Sequence, residues 1–266
     1  MSVQVLVATM NQTDHSLLET MNIQSDAIVG NQSDHNSIEE FFYNGHKVRY
    51  LNFAERGVGL NRNNALMRAD ADICLFADDD LVYVDGYVDI VEKAFHQFPD
   101  ADVIAFNFAD HTDYGDKQPR HTITRASRVY WHNYLRYGTA RIAIRLESIR
   151  KHGILFNLCY GGGTEHSHGE DNLFLTSCLK NRLKIYAVPQ VIADLMDDRA
   201  STWDGGYDDK YLKDQGALYY EISRRWWKLL CAQDAIRHHG EYHKSAWTAY
   251  KTMIHHNVAA ANRTSR

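Results

Sequence analysis

The chain of 266 residues has few cysteines, and its four cysteines follow no metal-site pattern. Cys74, Cys159, Cys178 and Cys231 form neither a Cys-x-x-Cys pair nor the spacing of a zinc finger. A disulfide framework and a structural zinc site are therefore not expected. This cysteine usage predicts a reducing compartment, the cytoplasm.

Proline, long apolar runs and an excess of positive charge are also lacking. Only three prolines and no low-complexity tract are present, which argues against a disordered linker. No stretch approaches about 18 consecutive apolar residues, and "MSVQVLVATMNQ" has no basic segment ahead of its short apolar run. We therefore expect neither a membrane span nor a signal peptide. The net charge of −5 gives no reason to expect a nucleic-acid partner.

Short apolar segments alternate with helix-like segments through the first half of the chain. Two matches to the capping-box pattern, Ser16-x-x-Glu19 and Ser37-x-x-Glu40, each predict the start of a helix. Such an alternation predicts an α/β fold with a mostly parallel central sheet flanked by helices. The predicted strands are 3–8, 27–29, 47–53, 72–77 and 103–106, and the later predicted helices are 60–69 and 84–95.

The second half of the sequence is less regular. Three consecutive glycines, Gly161 to Gly163, predict a tight or mobile loop, and a helix is expected after Gly169. From about residue 207 the chain is helical and aromatic in pattern. We therefore divide the chain into a domain over 1–205 and a helical C-terminal extension over 206–266.

Three adjacent acids, Asp78, Asp79 and Asp80, follow the apolar end of the fourth predicted strand. In a parallel α/β sheet, ligands bind beyond the carboxyl ends of the strands. Alternate residues of an extended strand point to the same side, so Asp78 and Asp80 would converge. Such a pair suits Mg²⁺ or Mn²⁺ with open positions for a diphosphate. The alternative is a solvated acidic turn.

A second acidic motif, Glu170-Asp171, follows Gly169 at the start of a predicted helix. A carboxylate there can act as a general base toward an incoming hydroxyl group. The alternative is an acid that is stabilised only by the helix dipole. The nearby His166 and His168 are open to three interpretations, which are zinc ligation, contact with a phosphate or acceptor, and a plain loop role.

The segment "GVGLNRNN" lacks the third glycine of a dinucleotide fingerprint. Its Gly59, Asn61, Arg62 and Asn64 can instead meet a nucleotide or phosphate at a helix N-terminus, or simply belong to a capped helix. The late segment Arg224–Lys228, "RRWWK", is basic and aromatic. It fits either peripheral contact with an anionic membrane or packing of its tryptophans on the main domain.

The motifs, taken in their order, carry a family resemblance. "VQVLVATMNQ", then "GVGLNRNNALMRADADICLFADDDLVYVDGY", then "GGGTEHSHGEDNLFL" resemble the family 2 glycosyltransferases of the GT-A fold. The similarity covers roughly residues 1–200. It implies an inverting transfer from a UDP-sugar to a hydroxyl of a glycan or lipid-linked acceptor, in bacterial surface or capsular polysaccharide synthesis. The cysteine usage predicts a cytoplasmic protein, and the Arg224–Lys228 segment adds the expectation of peripheral contact at the inner face of the plasma membrane.

The resemblance implies roles for individual residues. Asp80 would bind Mn²⁺ or Mg²⁺, and Asp78 would contact the metal or the donor, with Asp79 also assigned to donor binding. Asp171 would be the general base, and Glu170 would contact the acceptor. The nucleoside pocket and donor site would be lined by Thr9, Asn11, Asn31, Asn61 and Asn64.

The sequence departs from the family pattern after the second strand. A pair of acids is usual there, but this chain has Gly30-Asn31-Gln32-Ser33-Asp34, so either Asn31 or Asp34 would reach the base or ribose. The third metal contact is open among Asp197, Asp198, His166 and His168. Two alternative functions remain: a sugar-nucleotide nucleotidyltransferase, and a catalytically silent carbohydrate-binding protein of the same fold.

Overall fold

The computed structural model describes residues 1–109, 121–195 and 206–261, with side chains up to residue 255. The strands are β1 Val3–Met10, β2 Asp26–Gln32, β3 Ser37–Tyr43, β4 His46–Phe53, β5 Ile73–Asp78, β6 Leu81–Tyr83, β7 Val103–Phe108, β8 Ser127–Val129, β9 Ile142–Arg145 and β10 Ile185–Leu195. The helices are α1 Leu17–Thr20, α2 Val58–Arg68, α3 Tyr87–Gln97, α4 Leu146–Lys151, α5 Glu170–Lys180, α6 Asp209–Ile222, α7 Trp227–His238 and α8 Ala246–Ala261.

The described strands form one sheet in the order β3-β4-β2-β1-β5-β9-β7-β10-β6, with β8 paired to β10. β1 is parallel to both β2 and β5, β2 is parallel to β4, and β7 is parallel to β10. The strand β9 lies between β5 and β7 and is antiparallel to both, so β5 and β7 point the same way. The predicted mostly parallel α/β fold is confirmed.

Side-chain alternation along the central strands divides the core between the two faces of the sheet. Val5 and Val7 of β1 pack with Phe95 of α3 on one face. Leu6 of β1 packs on the other face, with Leu66 of α2 and other apolar side chains. Because both faces of β1 are covered, its apolar run is continuous, as expected for a strand buried on both sides.

The helix predicted from Ser37-x-x-Glu40 is wrong, because residues 37–43 form the strand β3. β3 pairs with β4 in antiparallel register, Tyr43 facing His46. The two turn residues, Asn44 and Gly45, have φ values of 48° and 84°. An Asn-Gly turn of this kind joins two antiparallel strands, and here that preference overrides the weak capping signal.

The other predicted capping box begins only one helical turn. The Ser16 hydroxyl donates to Asp14 at 2.6 Å and makes no cap bond to α1. The helix ends at Thr20, after four residues. A serine hydroxyl that bonds a neighbouring carboxylate leaves the helix N-terminus without its cap, which is the local competition expected of Ser and Asp.

Helices α6, α7 and α8 pack into a layer with its own apolar core. Its members include Leu212, Cys231 and Met253, and the core also takes in Tyr160 and Leu173 from the preceding part of the chain. A methyl group on Gly216 would overlap the carbonyl oxygen of Met253, so α6 and α8 cross at very close range. Among the described residues, no helix has the length and apolar character to cross a bilayer.

Candidate active site

Five of the predicted donor-binding residues lie together at the carboxyl ends of β1, β2 and β5: Thr9, Asn11, Asn31, Asp78 and Asp79. The pairing of β1 with β2 places Thr9 opposite Asn31, and the pairing of β1 with β5 places Ala8 opposite Asp78. This edge is where an α/β sheet presents ligand-binding groups. The topology therefore brings together residues that are about 70 positions apart in sequence.

Hydrogen bonds join these strand ends into a single polar edge. The Thr9 hydroxyl donates to the Asp79 carboxylate, and the Gln12 amide donates to the Thr9 oxygen at 2.9 Å. Asn31 is fully buried; its Oδ1 accepts from the Gln12 backbone N–H, and its Nδ2 donates to the Gln12 carbonyl and to Asn52 Oδ1. Asn31 thereby fixes the loop after β1. Its contact with a nucleoside stays a prediction.

Asn11 and Asp34 are the exposed members of this edge. Asn11 has a φ of 56° and is exposed just after β1, and its backbone N–H donates to the Gln32 carbonyl at 3.0 Å. Asp34 lies after β2 and pairs with His35 at 2.9 Å. Of the two candidates after the second strand, Asp34 is the one whose side chain faces solvent, whereas Asn31 is inside the fold.

The acidic cluster spans the end of β5 and a turn. β5 ends at Asp78, and Asp79 and Asp80 form the turn before β6, so the strand alternation used to predict that Asp78 and Asp80 converge stops at Asp78. The Asp78 side chain is 40% exposed, and Asp80 is also partly exposed. In the described part of the chain, no group of three or more acids, histidines and cysteines is placed to hold a metal.

Two carboxylates at this edge fit one kind of metal site. Mg²⁺ and Mn²⁺ accept hard oxygen ligands, and Mg²⁺ is commonly held by one or two carboxylates together with substrate phosphates and water. Asp78 and Asp80 match that donor set. The structure supports none of the candidates for a third metal ligand. Asp197 and Asp198 lie outside the described residues, and His166 and His168 contact other side chains, as described below.

A buried arginine connects the two acidic motifs. Arg62, on α2, donates from Nη2 to Asp78 Oδ1 at 2.6 Å and from Nη1 to Glu170 Oε1 at 3.0 Å. Its guanidinium lies 5.5 Å from the centroid of the Phe156 ring. The carboxylates raise the pKa of Arg62 against the lowering effect of burial, so the group stays charged. One cation thus holds the strand-end acids and the helix-start acids in a common site.

Glu170 is almost completely buried, and this alters its acidity. Burial raises the pKa of Glu170, and the neighbouring Asp171 raises it further, while Arg62 acts in the opposite direction. Its Oε2 atom has no hydrogen-bond partner, and a methyl group on Gly161 would lie 2.8 Å from it. The glycine at position 161, with a φ of 100°, therefore lets the loop pass directly over this carboxyl group.

We expect Arg62→Met to destabilise the fold by about 3–5 kcal/mol, because it leaves the Glu170 carboxylate buried and unpaired. Folding raises the pKa of Glu170, so this group favours the folded state at low pH and opposes it once pH exceeds the unfolded value. Without Arg62, which lowers the pKa of Glu170, that pKa should rise further. The loss measured by urea unfolding should therefore be larger at pH 8 than at pH 5.

The double variant Arg62→Met/Glu170→Gln is the matched comparison, since it contains no buried charge at position 170. It should recover part of the lost stability and remove the extra loss at pH 8. Equal stability of Arg62→Met and wild type at pH 8 would contradict the proposed electrostatic link.

Asp171, the predicted base, is partly exposed on the first turn of α5. Its Oδ2 accepts a long hydrogen bond of 3.4 Å from the Thr139 backbone N–H. A methyl group on the preceding Gly138 would lie 3.4 Å from the same oxygen. The segment before β9 therefore lies close against this carboxylate, and the neighbouring Glu170 is turned inward while Asp171 can meet a ligand.

Asn61 and Asn64 differ in their surroundings. Asn61 is buried against Gly30, where a methyl group would lie 2.6 Å from Asn61 Oδ1, an atom with no hydrogen-bond partner. Asn64 donates to both carboxylate oxygens of Glu55, at 2.8 and 3.0 Å. Donor contacts from these two side chains stay predictions, and Asn61 has the unused acceptor.

The loop before α5 is anchored by the C-terminal helical layer. His166 stacks on Tyr160 with ring centroids 4.4 Å apart and contacts Asp214 Oδ1 at 3.1 Å. His168 stacks on Tyr211 and contacts Gln215 at 2.7 Å, and burial lowers its pKa. The two histidines thus contact α6, and the interpretation of His166 and His168 as zinc ligands gains no support.

Asp214 is the centre of this anchor. It accepts from the Ser167 backbone N–H at 2.9 Å and from Lys210 Nζ at 2.7 Å. Burial alone would raise its pKa, but hydrogen bonds from Lys210, Ser167 and His166 outweigh that effect and lower it to about 2. Asp214 therefore remains a carboxylate at neutral pH and holds the loop that leads into Glu170 and Asp171.

Sequence reasoning missed the connecting roles of Arg62 and Asp214. Arg62 was predicted either to contact a nucleotide or phosphate or to belong to a capped helix. In the structure its side chain lies between two carboxylates. The pairing of Lys210 with Asp214 at the spacing i, i+4 is visible in the sequence, but the loop partners Ser167 and His166 are 47 and 48 positions away. The burial of Asp214 is seen only in the structure, since its neighbours in sequence are mostly polar.

Comparison with known proteins finds a family model that matches part of the chain and a set of structural neighbours. The sequence model of glycosyl transferase family 2 matches residues 30–155. TarS 1–349 of S. aureus in complex with UDP-GlcNAc is 16% identical, with a TM-score of 0.63, and the match covers 90% of this chain and 72% of TarS 1–349. TarS 1–349 in complex with UDP is 15% identical, with a TM-score of 0.61 and coverage of 100% and 92%.

A longer TarS structure from S. aureus matches with a TM-score of 0.62 and 14% identity, over 96% of this chain and 55% of that one. Among curated proteins there is no significant match. The low identities make the neighbours evidence for the fold, and the family match covers slightly less than half of the chain. Residues 30–155 are therefore similar to the family 2 glycosyltransferases, and the chain has the GT-A fold of its structural neighbours.

Proposed function

We propose that the protein transfers a sugar, with inversion, from a UDP-sugar to a hydroxyl group of a glycan or lipid-linked acceptor. One observation carries the proposal: Arg62 joins Asp78 of the strand-end cluster to Glu170 of the helix-start motif. A donor-binding motif and a candidate base are thereby held side by side. The structural neighbours include TarS bound to UDP-GlcNAc and to UDP, which supports a UDP-sugar donor.

The donor site in this proposal is the polar edge at the ends of β1, β2 and β5. Thr9 and Asn11 line the nucleoside, and Asp78 and Asp80 hold Mg²⁺ or Mn²⁺ when it is bound. The cation would offset negative charge on the departing diphosphate. Asp79 already accepts from Thr9, so it orients the nucleoside side of the site.

The reaction needs a base on the side of the sugar opposite the diphosphate. The acceptor oxygen attacks the anomeric carbon, the bond from that carbon to the diphosphate oxygen breaks, and the hydroxyl proton passes to the Asp171 carboxylate. UDP leaves with the electron pair of the broken bond. Glu170, buried and bonded to Arg62, positions the start of α5 and the adjacent base.

The acceptor in this proposal is a hydroxyl of a growing surface polysaccharide, the class that the family resemblance favours. Positioning both sugars removes association entropy from the chemical step, so the acceptor needs a defined site next to Asp171. The partly exposed Asp171 and the segment around Thr139 offer that position.

A thermal-shift screen of nucleotide sugars, with and without Mn²⁺, tests the proposal. A ligand present at about 100 times its dissociation constant stabilises the folded state by about 2.7 kcal/mol, which raises the melting temperature by several degrees. We expect this shift from a UDP-sugar with Mn²⁺, followed by slow release of UDP. The proposal would be contradicted if no UDP-sugar stabilised the protein. It would also be contradicted if a UDP-sugar bound but UDP was never released when acceptor glycans were supplied.

A further inference from the structure

Helix α7 has an outer face that its packing does not explain. Trp226, Leu229 and Ile236 are 53%, 62% and 66% exposed. They follow the helical spacing i, i+3, i+10, so they share one face of α7. The opposite face packs into the C-terminal core through Trp227, Cys231 and other residues. α7 is therefore apolar on two sides, only one of which is covered by the described protein.

Basic groups surround this outer face. Arg225 lies 4.9 Å from the centroid of the Trp226 ring, and the exposed Arg237 directly follows Ile236. Arg224 and Lys228 are exposed at the border of this face, over the rings of Tyr220 and Trp227. The single acid of α7, Asp234, is turned inward, where it accepts from the hydroxyl groups of two tyrosines and from Gln215. The outward surface of α7 thus combines large apolar side chains with positive charge alone.

The charge of the whole chain is divided in the same way. Residues 224–266 contain eight Lys and Arg against two Asp and Glu, whereas residues 1–223 contain 21 against 32. On α8 the combination recurs, since Lys251 lies 4.9 Å from the centroid of the exposed Trp247 ring. A locally basic segment on an acidic protein indicates a partner with a dense negative surface.

We propose that the outer face of α7 docks on the surface of a bilayer that contains anionic phospholipids, with α7 lying in the plane of the interface. Helices that bind in this way place Trp and Leu below the headgroups and keep Lys and Arg at the phosphates. Tryptophan is enriched at that depth. This inference goes beyond the proposed transfer reaction and can be tested without any sugar substrate.

A second copy of the chain is the less suitable occupant. A stable protein interface buries roughly 800 Å² on each partner with a continuous apolar centre. Three half-exposed apolar side chains, separated by charges, offer much less. A bilayer needs no matching surface, because its headgroups rearrange around scattered apolar and basic groups.

Vesicle flotation tests the proposal with the full chain. The probes are phosphatidylcholine vesicles with and without about 30% phosphatidylglycerol, at low and high salt. We expect wild type to float with the anionic vesicles at low salt, and much less with neutral vesicles or at high salt, because screening weakens the basic contacts. Arg225→Glu should lower the partition coefficient at least about five-fold, and Leu229→Ser/Ile236→Ser should abolish flotation.

Matched controls are available elsewhere on the surface. Phe42→Ser removes an apolar side chain that is 76% exposed on β3, and Lys93→Glu reverses an exposed charge on α3. Both should float like wild type. The α7 substitutions lie on exposed positions, and equal melting temperatures would confirm that they fold.

Several results would overturn the proposal. These are absence of flotation with anionic vesicles, equal binding to neutral vesicles at all salt concentrations, and equal loss of binding in the control variants. Light scattering that showed a wild-type dimer, dispersed by Leu229→Ser/Ile236→Ser, would instead assign the face to contact between copies of the chain.

Discussion

Replacing Asp171 with Asn is expected to lower the rate of sugar transfer by about 10²–10⁴-fold, which is the usual contribution of a general base. The amide keeps the size of the side chain and its acceptor oxygen toward Thr139, whose N–H lies 3.4 Å from Asp171 Oδ2. It cannot take the acceptor proton. UDP affinity should be unchanged, because Asp171 lies on the acceptor side of the proposed site. Initial rates and calorimetry with UDP measure the two quantities separately.

Asp89→Asn is a suitable control for this variant. Asp89 is an exposed acid in the first turn of α3, and Asp171 is a partly exposed acid in the first turn of α5. The control should transfer sugar at the wild-type rate. Wild-type turnover by Asp171→Asn would show that Asp171 is not the base. Loss of both sugar transfer and UDP binding in this variant would instead indicate a structural role.

Replacing Asp80 with Ala is expected to remove the effect of Mn²⁺ on donor binding. In wild type, the affinity for UDP should be higher with Mn²⁺ than with a chelator, and in the variant the two affinities should become equal. We also expect transfer to fall by about 10²–10³-fold, since a catalytic cation supplies several kcal/mol of charge stabilisation. Calorimetry with UDP, with and without Mn²⁺, is the direct measurement.

The position of Asp80 makes the comparison informative. It lies in the turn after β5, whereas Asp78 at the strand end is bonded to Arg62, so removing Asp80 leaves the Arg62 link intact. Asp89→Ala again serves as a control that removes an exposed acid outside the cluster. A Mn²⁺ effect of wild-type size in Asp80→Ala would refute the assignment of the metal to this residue.

The fold was predictable from the sequence where local pattern and tertiary context agree. Residues 5–8 of β1 and 73–77 of β5 are continuous apolar runs because both faces of the sheet are covered, and the acids that follow residue 77 therefore had to lie at the sheet edge. The misassigned segment at residue 37 shows the opposite case. A capping pattern there competed with an Asn44-Gly45 turn, and strand pairing with β4 decided the outcome.

The candidate site was predictable only in part, because its connections are long-range. The motifs at Asp78 and Glu170 are recognisable as short stretches, but the arginine that joins them is 108 positions from Glu170. The insertion of β9 between β5 and β7 likewise depends on the whole sheet. Periodicity reports which face of an element is buried, and it carries no information on which distant charge will lie against it.

The close crossing of α6 and α8 at Gly216 changes how the C-terminal segment should be regarded. Two residues further along α6, Leu218 packs where a side chain on Gly169 would lie, immediately before the acidic motif. Helix α6 therefore packs closely against α8 on one side and against Gly169 on the other, so its position relative to the acidic motif is fixed. Exchanging the C-terminal segment between related transferases would therefore shift the reacting groups. Their positions would be kept only if residues 214–218 were exchanged together with the loop before α5.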